Sequence, residues 1–297
     1  MSKSVALVLS SGGARGLAHI GVIEGLAAEG YSITSISGSS IGAVIGAFYA
    51  CGQLDVYKEW ALKMDQWMVF KLIDFTISAQ GFIRGEKVFK ALEKVIPDMK
   101  IQDMDIPFTA VATDIHKGKE AAFRKGSMYR ALKASASIPT VIKPLQHKGR
   151  ELIDGGVMTP IPVEFVKRTP GDILVISNVN ENQPYLPPKN VVPKPETDQN
   201  VYLRQLNIFR NAWEKFLPPS ENPPTKKLGY FDLITRTGDL MQDKMTALLL
   251  EKYPPDLVVG HSRNACGVFD FHKAEEMIAY GRERFQNAYA KSSLKGQ

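Results

Sequence analysis

Ser35-Ile36-Ser37-Gly38-Ser39-Ser40-Ile41-Gly42-Ala43-Val44-Ile45-Gly46-Ala47 is the stretch on which the fold turns. It contains Gly-x-Ser-x-Gly, with Gly38 and Gly42 two residues either side of Ser40. A β-like run at 31–36 precedes it, and small apolar residues at 41–51 follow as a buried helix. Strand, sharp turn and helix are the setting of a nucleophile elbow. The spacing has a steric cause: a serine held in a strained turn leaves little room for side chains two residues before and after it. Ser40 would also sit at a helix N-terminus, where the dipole favours negative charge developing nearby. In a chain with 24 glycines the pattern also arises by chance, so neighbouring segments must carry part of the weight.

Upstream, Val5-Ala6-Leu7-Val8-Leu9 is the continuous apolar run of a strand buried on both faces of a parallel sheet. It runs into Ser10-Ser11-Gly12-Gly13-Ala14-Arg15-Gly16, and a helix follows from Leu17 to Gly30. Backbone N–H groups in such a turn can hold a phosphate or the oxyanion of an acyl-transfer intermediate. As a dinucleotide fingerprint it is imperfect, because Ser11 stands where the first glycine would be. Nucleotide binding would also need phosphate-contacting lysines or Mg²⁺ ligands that are not in place. Beside Ser40, the oxyanion reading is favoured. Arg15 would hold this loop or steer an anionic headgroup.

The 297 residues suffice for a full core, with 44% hydrophobic and 23% charged residues in ordinary globular proportion. Lys and Arg number 37 against 31 Asp and Glu, a net charge of +6 that favours anionic surfaces such as phospholipid headgroups; a mildly basic soluble enzyme is the plainer reading. Cys51 and Cys266 lack metal-ligand or Cys-x-x-Cys spacing, which fits a reducing compartment. The apolar run at 5–9 is short for a secretion signal and no stretch reaches membrane-span length, so a cytoplasmic location, peripheral to a membrane at most, is expected. None of the five histidines has metal-ligand spacing, and neither a metal, a cofactor nor a nucleic-acid partner is expected.

Residues 55–89 carry large apolar side chains among charges, and the spacing predicts a helix over 56–70. An acyl-chain groove or a membrane-contacting face would need such a stripe, but core packing is the commoner use. A helix is expected over 86–96, a strand at 108–114 ending in Asp114, a return strand at 122–124 and a helix at 127–135. Asp154-Gly155-Gly156 taken alone reads as a turn. A strand is expected at 172–179. Nine of the eighteen prolines then fall within 181–224, around an expected helical patch at 201–216. The segment at about 181–228 reads as an insertion or cover on a single domain spanning 1–297, with a C-terminal helical region at about 229–297. Within that region helices are expected at 228–252 and 272–290, with a strand at 256–259 between them.

With these parts in order, the chain resembles the patatin-like phospholipases, particularly the bacterial members. Gly12 to Gly16 followed by Leu17-Ala18-His19-Ile20-Gly21-Val22 is similar to the family's oxyanion-hole block, and Gly38-Ser39-Ser40-Ile41-Gly42 to its nucleophile block. Ala134-Ser135-Ala136-Ser137-Ile138-Pro139 is similar to its Ala-Ser…Pro block, and Asp154-Gly155-Gly156 to the block that carries its catalytic aspartate. The likeness covers about residues 4–180; Ser11 is a mild departure from it. The resemblance implies a three-layer α/β/α sandwich with a mostly parallel sheet. It also implies a lipolytic acyl hydrolase with a Ser40–Asp154 dyad, an oxyanion hole at Gly12, Gly13, Ala14, Arg15 and Gly16, and a phospholipid or other lipid ester as substrate. The residues alone leave alternatives open. One is a Ser–Asp–His triad using His261 or His272. Another is a non-catalytic lipid-binding or regulatory protein of the same fold. Asp114 is the reserve candidate for the base.

Overall fold

The computed structural model describes residues 3–73, 85–139, 141–189, 191 and 230–295. The chain forms two compact units, one of Met1–Val191 with Gln242–Gln297, the other Val192–Met241. The second is described only from Tyr230, as the opening turns of a helix. Most of the expected cover at about 181–228, with its helical patch at 201–216, lies outside the described residues.

The first unit is built on a sheet. Val5 to Leu9 are all completely buried, which two covered faces require. They form β1 (Ser4–Leu9), flanked by β2 (Ser32–Ser39) and β7 (Ile173–Glu181), with β3 (Phe108–Asp114) beyond β2 and β8 (Leu257–Ser262) beyond β7, all parallel. Three antiparallel strands extend the β3 side: β4 (Lys119–Phe123), β5 (Leu145–His147) and β6 (Arg150–Asp154). Alternation along β1 sorts its side chains. Val5, Leu7 and Leu9 join the larger core with Leu17, Ile20, Phe48 and Phe285. Ala6 and Val8 face Ile161, Val163, Leu174 and Ile176 on the other side, against which Leu249, Leu250 and Tyr253 pack. Each fully buried large apolar side chain contributes about 1.5–3 kcal/mol.

Helices α1 (Ala18–Ala28), α2 (Ile41–Ala50), α6 (Met128–Ser135) and α8 (Ala274–Ala290) belong to the larger face, with α3 (Leu54–Leu62), α4 (Gln66–Ile73) and α5 (Glu86–Val95) packed outside. The closing turns of α7 (Tyr230–Lys252) cover the other. The architecture is thus a mixed α/β sheet flanked by helices. The helix expected over 56–70 is two helices. Asp65 accepts the Met68 N–H at 2.7 Å and so caps a new helix after α3 has ended. The helix expected from Leu17 opens instead with a 3-10 turn, Gly13–Leu17, before α1 begins.

Candidate active site

Pairing along β3 explains how distant parts of the sequence meet. β2 pairs with residues up to Val111, through Ser39, and β6 pairs with Ala112 to Asp114, through Asp154 to Leu152. β4 occupies Ala110 to Asp114 on one edge of β3, so β2 and β6 share the other edge. Asp154 therefore follows directly after Ser39 along that edge, at the point where Ser40 leaves the sheet.

Ser40 has φ +54° and ψ −124°. A residue other than glycine at positive φ costs on the order of 1–3 kcal/mol. Its N–H donates to Ser135 Oγ at 2.9 Å, whose hydroxyl donates to the Val111 carbonyl at 2.6 Å. Its carbonyl accepts the N–H groups of Ala43 and Val44, opening α2. Gly38 and Gly42 allow the crossing: a Cβ on Gly38 would lie 2.3 Å from the Gly42 carbonyl oxygen, and one on Gly42 would lie 2.3 Å from that of Leu9.

Asp154 accepts the Gly156 N–H at 2.7 Å, and the Ser40 hydroxyl lies beside its carboxyl. Burial pushes its carboxyl up from 3.8 to about 6, against the pull of those two groups. Gly155, next along, lies against the Val111 carbonyl. Three histidines pair with other groups. His261 is buried with Nδ1 on the Asn178 carbonyl at 3.2 Å, and burial holds its pKa down near 3. His272 meets Gln66 at 3.4 Å. His19 bridges Ser177 Oγ and the Ser10 carbonyl, and burial lowers its pKa to about 4. Asp114 accepts the Lys117 N–H at 3.1 Å, closing the turn from β3 to β4.

The Leu9–Gly38 pairing of β1 with β2 sets the Gly-rich turn beside Ser40. Gly13 holds φ +58° and borders the same cavity as Ser40. The Ala14 N–H is already given to the Val268 carbonyl at 2.8 Å, whereas the N–H groups of Gly12 and Gly13 meet no carbonyl among the described residues. Arg15 is loop-holding: its guanidinium donates to Asn180 Oδ1 at 3.0 Å and to the Arg263 carbonyl at 3.2 Å, while Asn180 Nδ2 donates to the Ser11 carbonyl at 2.6 Å. Gly16 packs against Ile41 at the head of α2.

Ser40 opens on an apolar cavity with about 930 Å³ of space, its mouth included. Tyr57, Trp60, Met64, Val69 and Leu72 form one wall, and Val88, Phe89 and Leu92 another. Of the apolar stripe, Tyr57, Met64 and Val69 line this cavity and also belong to the core.

The family whose sequence pattern matches is Patatin-like phospholipase, over residues 7–167. The chain belongs to the patatin-like phospholipase family. It is 33% identical to an uncharacterized NTE family protein of Mycobacterium tuberculosis, across 95% of this chain and 90% of that protein. It is 28% identical to lysophospholipase nte1 of Aspergillus fumigatus, covering 98% of this chain but 19% of the fungal protein. Among solved structures, VipD from Legionella pneumophila aligns over 98% of this chain and 67% of its own at 13% identity, with a TM-score of 0.47. Family membership makes this chain a lipolytic hydrolase in general terms. The site also uses groups to which the motif reading assigned no task. Ser135 is 95 positions from the backbone it holds, and Asn180 is 165 from Arg15. The Val268 carbonyl is a backbone group with no signature in the sequence.

Proposed function

We propose that the protein is a serine lipolytic acyl hydrolase of phospholipase A, lysophospholipase or esterase type, working through Ser40 and Asp154. The observation that carries this is a buried carboxyl, that of Asp154, beside the hydroxyl of Ser40, which lines an apolar cavity. Ser40 Oγ attacks the ester carbonyl carbon and its proton passes to Asp154. The carbonyl oxygen, now an anion, is held by the N–H groups of Gly12 and Gly13, each such donor commonly worth about 3–4 kcal/mol. Collapse expels the alcohol with the proton from Asp154 and leaves the acyl group on Ser40. Water then attacks the acyl-enzyme with Asp154 as base, releasing the fatty acid. The cavity receives the acyl chain. Histidine takes no part in this scheme.

Hydrolysis of p-nitrophenyl and phospholipid esters, with fluorophosphonate labelling, tests it. Ser40→Ala should lose turnover and labelling together, and Asp154→Asn should lower kcat by about 10²–10⁴-fold while remaining folded by circular dichroism. A labelled Ser40→Ala protein would overturn the nucleophile. A folded His261→Asn or His272→Ala protein without turnover would restore the triad.

A further inference from the structure

We infer that α4, with the turn at 267–269 beside it, docks the enzyme onto an anionic phospholipid bilayer; this rests on the cavity being the acyl site. The helix has two unlike faces. Val69 and Leu72 turn inward and line the cavity that contains Ser40, with Val69 buried. Trp67 and Met68 turn outward, 53% and 37% exposed. Val268, also 37% exposed, lines the cavity as well, and the Gln66–His272 contact ties α4 to the segment that follows that turn. Trp67 stacks on Phe70, ring centres 5.6 Å apart, and is still half exposed beside Met68; an indole at a lipid–water boundary is favoured.

The charges select the surface. Lys63 and Lys71 are exposed on either side of Trp67, and Lys71 Nζ lies 4.9 Å from the Trp67 ring centre. Two nearby acids each accept a backbone N–H. Asp65 accepts the Met68 N–H, and Asp270 accepts the Gly267 N–H. With a net charge of +6 the chain is drawn to a negative surface. A bilayer fits this face better than a protein partner, because one helix then joins the lipid surface to the acyl cavity. A lipid chain could pass along it without crossing water, whereas a docked protein would cover the same edge.

Flotation with sealed vesicles of phosphatidylcholine, alone or with 30 mol% phosphatidylglycerol (about that fraction suffices for a negative surface), tests the inference. Wild type should float with the anionic vesicles and hardly with the neutral ones. Trp67→Ala/Met68→Ala should reduce its partitioning by about tenfold or more, and each of Lys63→Gln and Lys71→Gln by about fivefold. All variants should hydrolyse a soluble p-nitrophenyl butyrate at the wild-type rate, which also reports that they are folded. Equal flotation of wild type and the double variant, or no preference for the anionic vesicles, would overturn the docking surface. The chemistry fails independently: Ser40→Ala with wild-type turnover sinks the catalytic proposal, while flotation lost with Trp67 and Met68 would still establish the surface.

Discussion

Asp154 is the residue on which the chemistry and the energetics of the site conflict. An aspartate is ordinarily too weak a base for a serine hydroxyl, and burial raises it from 3.8 to about 6. The proposed base must be ionised to work, so kcat/KM should fall as pH drops through about 6, not near 4. The same shift has a stability consequence of definite sign. The folded pKa lies above the unfolded one, so folding is penalised at pH above both values and the penalty disappears below about pH 4. The size is on the order of 2–3 kcal/mol. Asp154→Asn should therefore raise the melting temperature by several degrees at pH 8, and the gain should shrink towards pH 4. A pH–rate limb near 4, together with an unchanged melting temperature at pH 8, would mean that the carboxylate is well solvated and unperturbed. The aspartate-glycine-glycine run shows none of this in sequence, because a turn-forming aspartate and a buried one are written with the same letters.

Elements bring these residues together through non-local pairing. Strand, elbow and helix around Ser40 were legible because the pattern is local: glycines at fixed offsets, an apolar run before and small residues after. The position of Asp154 was not legible from the residues, and only the family resemblance pointed to it. It depends on β6 taking over the edge of β3 that β2 leaves at Ser39. The partner of the Ala14 N–H was not legible for a similar reason, since the Val268 carbonyl reaches it from the far end of the chain. Helix α6 contributes the other non-local part. Ser135 Oγ holds the Ser40 N–H and passes a hydrogen bond on to Val111 of β3. Ser135→Ala leaves a buried N–H and a buried carbonyl without that partner, at a cost of about 1–3 kcal/mol. Because the lost contact is on the strained residue itself, kcat should fall as well, by roughly tenfold for a displacement of the nucleophile worth about 1.4 kcal/mol. Urea unfolding and ester hydrolysis check the two effects. Lowered stability with unchanged kcat would show that the elbow keeps its shape without Ser135.

At the scale of the molecule, one large face of the sheet holds both the main core and the cavity. This explains why periodicity could not separate a groove from core packing around Tyr57, Met64 and Val69. Tyr57, Met64 and Val69 are buried by their neighbours and still form cavity wall, so both uses produce the same apolar spacing. The cavity, at about 930 Å³ with its mouth, is lined almost wholly by apolar side chains. If it receives the acyl chain, each methylene buried there should contribute about 0.8 kcal/mol to transition-state binding. Val88 is on its wall and only partly buried, so Val88→Phe can turn its extra volume into the cavity without forcing the core apart. Displacing two methylenes of a long chain should lower kcat/KM by about tenfold or more for laurate and longer esters. A butyrate ester, which does not reach that depth, should be hydrolysed at close to the wild-type rate. The comparison needs only the ratio of the two substrates, so a general loss of folded protein cancels. A ratio unchanged in Val88→Phe would place the acyl chain outside this cavity and leave the apolar wall to the core alone.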